Sequence, residues 1–273
     1  PNTNLYPLAG IYVQPMGSVF ASKSNRFRRL VSGVVIHENP AAMVSYNDYE
    51  EMNAHAGAYA SSYGFAGDAL RMAGTGWQTL GAFNNTIKDC RVGIGAGEAG
   101  LTAYSNTISG AEYGITAIIN QPNFITIGDD NPSLANTIKS SKFGIWASAT
   151  DPTGQVDIIG NMVTAASATD GEGIVLLFSK GEAEIRENTV TVDTAGMGIG
   201  LLSSDNVKVV GNTVNLNDAA SADAGISLYG ANQCAIQDNS ISGAGTGGTQ
   251  NEGIRVNYSA GNVYCCNTVD NTR

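Results

Sequence analysis

The chain has 273 residues and a formal net charge of −10, with 42% hydrophobic residues, 14% charged residues and 34 glycines. This composition allows a buried core, excludes a disordered chain and, with few Lys and Glu, argues against a helical protein. The acidic charge argues against nucleic acid as a partner, because such binding depends on Lys and Arg against phosphate. It also disfavours a polyanionic polysaccharide, unless a local basic groove or bound cations compensate.

The sequence has no apolar run near the roughly 18–20 residues of a membrane span and no recognisable signal peptide. Because it does not begin with Met, we expect that a leader is missing or that the sequence is part of a longer chain. The candidate metal ligands of the soft type are Cys90, Cys234, Cys265, Cys266, His37 and His55. They show no metal-site spacing, so the sequence predicts no cofactor, with calcium left as a possibility.

Residues 1–80 lack the repeat that fills the rest of the chain, and we expect them to form an N-terminal cap with irregular first coils. A cap is needed because the open end of a strand stack exposes apolar core and unpaired strand edges. Strand-like apolar runs occupy residues 26–47. The segment NDYEEMNAHAGAYASSYG at 47–64 favours a helix, with Asp48 as its N-cap and acidic residues in its first turn.

Residues 81–273 carry an internal repeat with two alternating anchors. The first anchor is an Asn that is usually followed by Thr and then by Ile or Val, at Asn85, Asn106, Asn136, Asn161, Asn188, Asn212, Asn239 and Asn267. Successive copies lie 21–30 residues apart. The second anchor is a Gly-Ile pair that begins at Gly93, Gly114, Gly144, Gly173, Gly198, Gly225 and Gly253.

The repeat predicts an all-β solenoid. Each copy alternates apolar and polar residues with period two, which is typical of strands. Copies this similar must run in the same direction, so hairpins are excluded and a parallel β-helix is favoured. A leucine-rich repeat, the structural alternative, would show several Leu and a helical segment in each copy.

The repeated Asn has a structural explanation. Asn tolerates the unusual backbone angles of a coil corner, and its amide both donates and accepts hydrogen bonds. We therefore expect the eight Asn side chains to form a ladder with the roughly 4.8 Å spacing of stacked strands. Their role is then structural and not catalytic.

The units GNTV and DNSI, which alternate with GIGLL and GISLY, resemble the right-handed parallel β-helix repeat proteins, the pectate-lyase-like superfamily in its broad sense. The stretch ITIGDDNPSLANTIKSSKFGIWAS at 125–148 is especially similar to such a repeat. The resemblance covers about residues 80–273 and implies a right-handed, single-stranded parallel β-helix. It implies little about activity, since the superfamily includes lyases, hydrolases, epimerases and non-enzymes, many of them secreted or on bacterial surfaces.

A catalytic site is not evident in the outward columns of the Gly-Ile strands. Lyases of this fold need a basic residue beside calcium-binding carboxylates, and glycosidases need paired carboxylates. The positions two and four residues after each Gly hold no carboxylate and one basic residue, Arg255. Within residues 81–273, Asp129 and Asp130 form the one adjacent acidic pair, which we interpret as turn residues and, more weakly, as calcium ligands.

The same columns carry an apolar stripe, which we predict to be an interaction patch. Its members are Ile118, Trp146, Val175, Leu177, Leu202 and Tyr229. Three explanations are open: burial under the chain's own inserts, an interface with another domain or chain, or sugar stacking on Trp146 and Tyr229.

The repeat stops soon after Asn267, so we expect further domains or a partner to cover the C-terminal end. The sequence predicts a non-catalytic extracellular or cell-surface β-helix module of a larger secreted bacterial protein, with an adhesin-like, structural or protein-binding role. The alternative is a polysaccharide lyase or glycoside hydrolase with its site in the inserts or outside this chain. Assembly into a fibre or complex is a third possibility. The expected partners are protein or polysaccharide.

Overall fold

The computed structural model describes residues 9–13, 20–37, 41–52, 67–74, 78–166, 171–193, 195–217, 221–243 and 252–270. These residues form 28 short strands and a single 3₁₀ turn, Pro132–Leu134. The strands of successive coils pair in parallel and wind around three faces, here called A, B and C. The fold is therefore the predicted parallel β-helix. Within the described residues, no helix has the length and apolar character needed to cross a membrane.

Each face is a stack of strands in chain order. Face A consists of β1 (Ala9–Val13), β4 (Ser32–His37), β7 (Asp68–Ala73), β10 (Val92–Gly97), the second halves of β12 (Thr107–Ile119) and β14 (Thr137–Ala149), β17 (Glu172–Leu177), β20 (Ala195–Leu202), β23 (Ser221–Tyr229) and β26 (Glu252–Asn257). Face B consists of β2 (Phe20–Lys23), β5 (Ala41–Ser45), β8 (Thr79–Phe83), β11 (Gly100–Tyr104), β13 (Phe124–Gly128), β15 (Gln155–Ile159), β18 (Ala183–Arg186), β21 (Val207–Val210), β24 (Ala235–Gln237) and β27 (Val263–Cys265). Face C consists of β3 (Arg26–Arg28), β6 (Asp48–Glu50), β9 (Thr86–Lys88), the first halves of β12 and β14, β16 (Met162–Ala165), β19 (Thr189–Val192), β22 (Thr213–Leu216), β25 (Ser240–Gly243) and β28 (Thr268–Asp270).

Columns of identical or similar aliphatic side chains fill the space between the three faces. On face A the Ile of the Gly-Ile pairs forms one such column, and its members Ile94, Ile115, Ile145, Ile174, Ile199 and Ile226 are all fully buried. Because each member stacks on its equivalent one coil away, every coil buries its apolar side chains against its neighbours, as expected for a solenoid.

The Gly of each pair lies where faces A and C meet inside a tight corner. A Cβ atom on Gly93 would lie 2.6 Å from the carbonyl oxygen of Gly114 and 2.8 Å from Cγ2 of Ile108. The same collision would occur at five further glycines. In each case the added Cβ would meet the carbonyl oxygen of the next Gly and the branched side chain two residues after a ladder Asn, as seen at Gly114, Gly144, Gly173, Gly198 and Gly225. The two sequence anchors are therefore packing partners across one corner.

All eight predicted Asn residues form a continuous ladder at the corner between faces B and C, and all but the half-buried Asn267 are buried. The Nδ2 of each of the first seven donates to Oδ1 of the Asn one coil further on, at distances of 2.9–3.0 Å. At Asn188, Oδ1 also accepts from the main-chain N–H of Asn161 at 2.9 Å, and Nδ2 also donates to the carbonyl of Ile158 at 2.8 Å. The predicted ladder is confirmed.

The ladder extends two coils further towards the N-terminus than the sequence repeat indicates. Asn47 donates to Asn85 at 3.3 Å, and Asn25 donates to Asn47 at 3.1 Å. The predicted helix at 47–64 is wrong where the structure describes it, since Asp48–Glu50 form strand β6, and residues 53–64 lie outside the described residues. The N-terminal cap and the boundary at residue 80 stay predictions.

The first coils do not match the sequence repeat because aromatic residues occupy their core positions. Phe27 and Tyr49 stand where later coils have Ile or Val, and their stacked rings lie 5.0 Å apart between centroids in the core. Asp48 directly follows the ladder residue Asn47 and faces outward at the start of strand β6. It begins a strand and so does not cap a helix.

Several inward positions of the last described coil are exposed. Val256, Tyr264 and Val269 stack on the buried Leu228, Ile236 and Ile241, yet 43–46% of their surface is accessible. That further domains or a partner cover this end stays a prediction.

Replacing one ladder Asn by Ala is expected to destabilise the solenoid strongly. Asn188→Ala removes the acceptor for the main-chain N–H of Asn161 and the donor to the Ile158 carbonyl, while Nδ2 of Asn161 keeps the carbonyls of Ile127 and Ile159. Each buried polar group left without a partner costs about 1–3 kcal/mol, so we expect a loss of at least about 2 kcal/mol in the free energy of unfolding. Urea unfolding followed by circular dichroism measures it. Thr189→Ala, at the exposed neighbouring position, is the matched control, and equal losses in the two variants would contradict the ladder's role.

Candidate functional site

A groove of about 580 Å³ runs along face A from β7 to β20, across six successive coils. At the roughly 4.8 Å spacing of strands, it is about 24 Å long. One end is lined by Arg71 and Arg91, the middle by Tyr113, Thr116, Phe143 and Trp146, and the other end by Glu172, Val175, Leu177 and Leu202. We call this surface the face A groove.

Four of the six predicted patch residues come together in the face A groove: Trp146, Val175, Leu177 and Leu202. Val175 is 2% exposed, while the other three are half-buried. Ile118 and Tyr229 do not line the groove, and Tyr229 packs edge-on against Tyr258 with 5.2 Å between ring centroids. Whether these residues form an interaction surface stays a prediction.

Sequence reasoning missed the polar and aromatic half of the groove. Tyr113, Phe143 and Glu172 each stand directly before the Gly of a Gly-Ile pair, a position not included among the outward columns. Arg71 lies in a strand that reads Asp-Ala-Leu where later coils read X-Gly-Ile. The sequence therefore contained two signals for these groove residues. One is the residue directly before each Gly, and the other is a repeat in which Ala69 stands in place of the Gly.

A buried ion cluster organises the Arg end of the groove. The carboxylate of Asp68 has no exposed surface, and its Oδ1 accepts from Nη2 and Nε of Arg91 at 2.9 and 3.2 Å. Its Oδ2 lies 4.0 Å from Nη1 of Arg71 and has no hydrogen-bond partner. Gly95 leaves room for Arg71, because a Cβ there would lie 2.7 Å from that Nη1. Two guanidinium groups thus share one carboxylate.

The middle of the groove combines packed rings with an unpartnered hydroxyl. Tyr113 and Phe143 lie face to face, with 5.6 Å between ring centroids and 8° between planes, and Trp146 packs against Phe143 at 6.4 Å. Thr116 is 6% exposed, and its Oγ1 has no hydrogen-bond partner. A buried hydroxyl without a partner is unfavourable, so this position favours a ligand that can bond to it.

A second groove of about 560 Å³ lies on face B and is more polar. Asp157 and Glu184 occupy the same column on adjacent coils, and Glu182, Lys180 and Lys208 also line it. Burial, together with the neighbouring Glu184, raises the pKa of Asp157. The structure thus brings Asp157, Glu182 and Glu184 together in one groove.

Asp129 and Asp130 are both engaged in local contacts. Asp129 accepts a hydrogen bond from the main-chain N–H of Asn131 at 2.8 Å, as turn residues do. Asp130 forms an ion pair with Arg186, and this contact lowers the pKa of its carboxyl. Calcium binding at this pair stays a prediction.

The four cysteines are not paired with one another. Cys90 and Cys234 are buried in different coils, and burial raises the pKa of both thiols. Cys265 and Cys266 are exposed neighbours in the last described coil. No three His, Cys, Asp or Glu side chains converge as a metal site within the ranges that the structure describes.

The three-faced stack, its Asn ladder and its outward grooves define a parallel β-helix repeat protein. A family model described as "Periplasmic copper-binding protein (NosD)" matches residues 83–273, more than two thirds of the chain. The chain therefore belongs to the NosD family, a family of right-handed parallel β-helices. No curated protein matches it.

The described residues do not fit the copper that the family description names. Copper sites use imidazole, thiolate and thioether ligands, usually several together. His37 is the described histidine and has no Cys, Asp or Glu pair around it, and the two exposed thiols of Cys265 and Cys266 have no third ligand of these types among the described residues. We therefore derive no copper chemistry from these residues.

The Asp68 carboxyl is expected to titrate well above an ordinary aspartate. Burial raises its pKa to about 6, against the opposing effect of Arg91 and Arg71. The folded state then holds the proton more tightly than the unfolded state, so the contribution of Asp68 to stability is fully present below about pH 4 and is lost as pH rises to about 6.

Carbon-13 NMR of labelled aspartate carboxyls measures this midpoint directly. Urea unfolding of the wild type and of Asp68→Asn between about pH 4 and pH 7 should show a stability difference that changes up to about pH 6 and then stays constant. A midpoint at or below the ordinary value of 3.8 would contradict the dominance of burial.

Proposed function

We propose that this chain is a non-catalytic β-helix module, in the periplasm or at the cell surface, that binds a partner protein through the face A groove. The observation that carries the proposal is the gathering of four predicted patch residues beside aromatic rings and two arginines in one groove. Tyr, Trp and Arg are the residue types most enriched at the centres of protein interfaces.

The carboxylates of the face A groove support a binding role over catalysis. Asp68 and Glu172 belong to strands four coils apart, which is about 19 Å at the usual strand spacing. Paired catalytic carboxylates of glycosidases lie about 5–9.5 Å apart. Family membership supports the location, because the family description names periplasmic proteins.

The packing of the rings favours a protein over a sugar in this groove. Sugar stacking needs an open ring face, whereas Tyr113 and Phe143 direct their faces at each other. The apolar end, with Leu177 and Leu202, offers side-chain pockets but no aromatic platform. Such a surface suits aliphatic and aromatic side chains of a polypeptide.

A photo-crosslinking amino acid at Leu177 is expected to give a discrete protein adduct in extracts of the source cells. The same probe at Thr189, exposed on face C, is the matched control and should not give it. Adding Trp146→Ala to the Leu177 probe should reduce the adduct at least about fivefold, because anchors of this kind carry a large share of binding energy. Mass spectrometry identifies the adduct, and purified components then reconstitute it. A yield unchanged by Trp146→Ala would contradict the proposal.

The face B groove favours a second candidate, a polysaccharide-active enzyme. The observation that supports it is the placement of Asp157 and Glu184 at the same position of adjacent coils. Burial raises the pKa of Asp157 beside the carboxylate of Glu184. Two carboxyl groups in adjacent coils can act as acid and base on a glycosidic bond.

The enzyme candidate predicts turnover that depends on both carboxylates. Purified protein would be incubated with neutral and acidic polysaccharides, with and without calcium, and both reducing ends and unsaturated products would be measured. Under the binding proposal we expect no product above that of the double variant Asp157→Asn, Glu184→Gln. Product formed by the wild type and lost at least about 100-fold in the double variant would favour the enzyme instead.

A further inference from the structure

We propose that Cys265 and Cys266 form a redox-active dithiol, which a disulfide of another molecule oxidises reversibly to a ring disulfide between the two neighbouring residues. This modification site lies at the corner between faces B and C and does not depend on the face A groove.

The cysteine pair lies where strand β27 of face B turns towards strand β28 of face C. Cys265 is the last residue of β27, and Cys266 directly precedes the ladder residue Asn267. The φ angle of Cys266 is 59°, and Ser105 has the same left-handed backbone before its ladder Asn, with a φ angle of 55°. The corner of the solenoid therefore fixes the main chain that carries the two thiols.

Both thiols are exposed, and their position on the solenoid explains why. Arg186 lies three coils before Cys265 in the same outward column of face B. It is half-buried, and Glu187 beside it is exposed, although coils stack on both sides of them. Outward side chains at this corner thus stay open to solvent between neighbouring coils, so a molecule that carries a disulfide can reach Cys265 and Cys266.

The two sulfur atoms are placed to react with each other. Their thiols share a hydrogen bond, which raises the pKa of Cys266. Groups joined by so short a link have an effective concentration of at least about 1 mM towards each other. Cys90 and Cys234 are buried in other coils, so neither of them competes for this pair.

Oxidation of the pair takes two successive thiol–disulfide exchanges. In the first, the thiolate of one cysteine attacks a disulfide RS–SR, forms a mixed disulfide and releases RS⁻. In the second, the thiolate of the neighbouring cysteine attacks the protein sulfur of that mixed disulfide, closes the ring and releases the second RS⁻. The dithiol loses two electrons to the RS–SR disulfide, and its two protons pass to the solvent. Disulfides that act in this way are expected in the periplasm, the compartment that the family description names.

The ring disulfide is expected to be reduced easily. Neighbouring Cα atoms lie about 3.8 Å apart, whereas disulfides usually join Cα atoms about 4.4–6.8 Å apart. Strained and exposed disulfides are the ones that thiols reduce readily. The pair is therefore suited to a reversible change and not to a permanent cross-link.

Dithiobisnitrobenzoate, an aromatic disulfide that releases coloured nitrothiobenzoate, tests the proposal at about pH 8. With about 0.1 mM reagent, ring closure should outrun a second attack by the reagent at least about tenfold, given the effective concentration of the neighbouring thiol. The folded wild type should then release two nitrothiobenzoates and retain none, and the rate of the second release should not change with reagent concentration. After the remaining thiols are blocked, the tryptic peptide of residues 256–273, which holds both cysteines, should be lighter by two hydrogen atoms.

The variants Cys265→Ser and Cys266→Ser are the matched controls. Each should release one nitrothiobenzoate and keep the other bound to the remaining cysteine, because a ring cannot close. Ser already occupies this left-handed corner at Ser105, and the half-buried Gln237 stands one coil before Cys265, so we expect both variants to fold. Circular dichroism checks their folding. Millimolar reduced glutathione should restore both thiols of the oxidised wild type.

Three results would overturn the proposal. The first is a wild-type peptide that carries two nitrothiobenzoate groups, since the thiols then react independently. The second is a disulfide between two chains in place of the ring, seen as a dimer on a non-reducing gel. The third is a ring that survives millimolar glutathione, which contradicts its reversibility. None of these results bears on the proposed function, because the assay does not involve the face A groove.

Discussion

The hydrogen bond between Asn side chains of successive coils is the interaction on which the rest of this structure depends. A single amide meets three needs at one corner: it accepts from the coil before, donates to the coil after, and donates to a main-chain carbonyl. Because these groups are buried, leaving any of them unpaired would be costly. The ladder therefore fixes the register of every coil, and with it the columns in which all other side chains stand.

Fixed register has a consequence for the surface. Once each residue has a set place in a column, a binding site can be built only by changing the residues that face outward, coil by coil. The face A groove follows this rule: its central column reads Arg71, Gly95, Thr116, Trp146 and Val175 along successive coils, while the inward column beside it stays aliphatic. Small residues in that column matter as much as large ones, since Gly95 provides the space that Arg71 occupies.

The sequence predicted the fold and the ladder because both depend on residues that must recur. It predicted half of the groove, the part formed at positions counted after each Gly, such as Trp146 and Leu177. It missed the other half because those residues obey no repeat. Asp68 and Arg71 lie in a coil where Ala69 replaces the Gly, and Tyr113 and Phe143 precede the Gly, at a bend where strand alternation gives no guide. The first two coils were missed for a related reason, since Phe27 and Tyr49 fill the core with rings in place of Ile or Val.

The family description names copper binding, whereas the face A groove presents arginines, aromatic rings and aliphatic side chains. The family match covers residues 83–273, which contain the eight Asn of the sequence repeat. Asp68 and Arg71 lie outside the matched range, and Arg91 lies near its start. The carboxylate of Asp68 lies buried between both arginines at the groove floor, where its desolvation opposes the attraction of the two guanidinium groups. The face A groove therefore joins a central part inside the family's matched range to an Arg end that begins outside it.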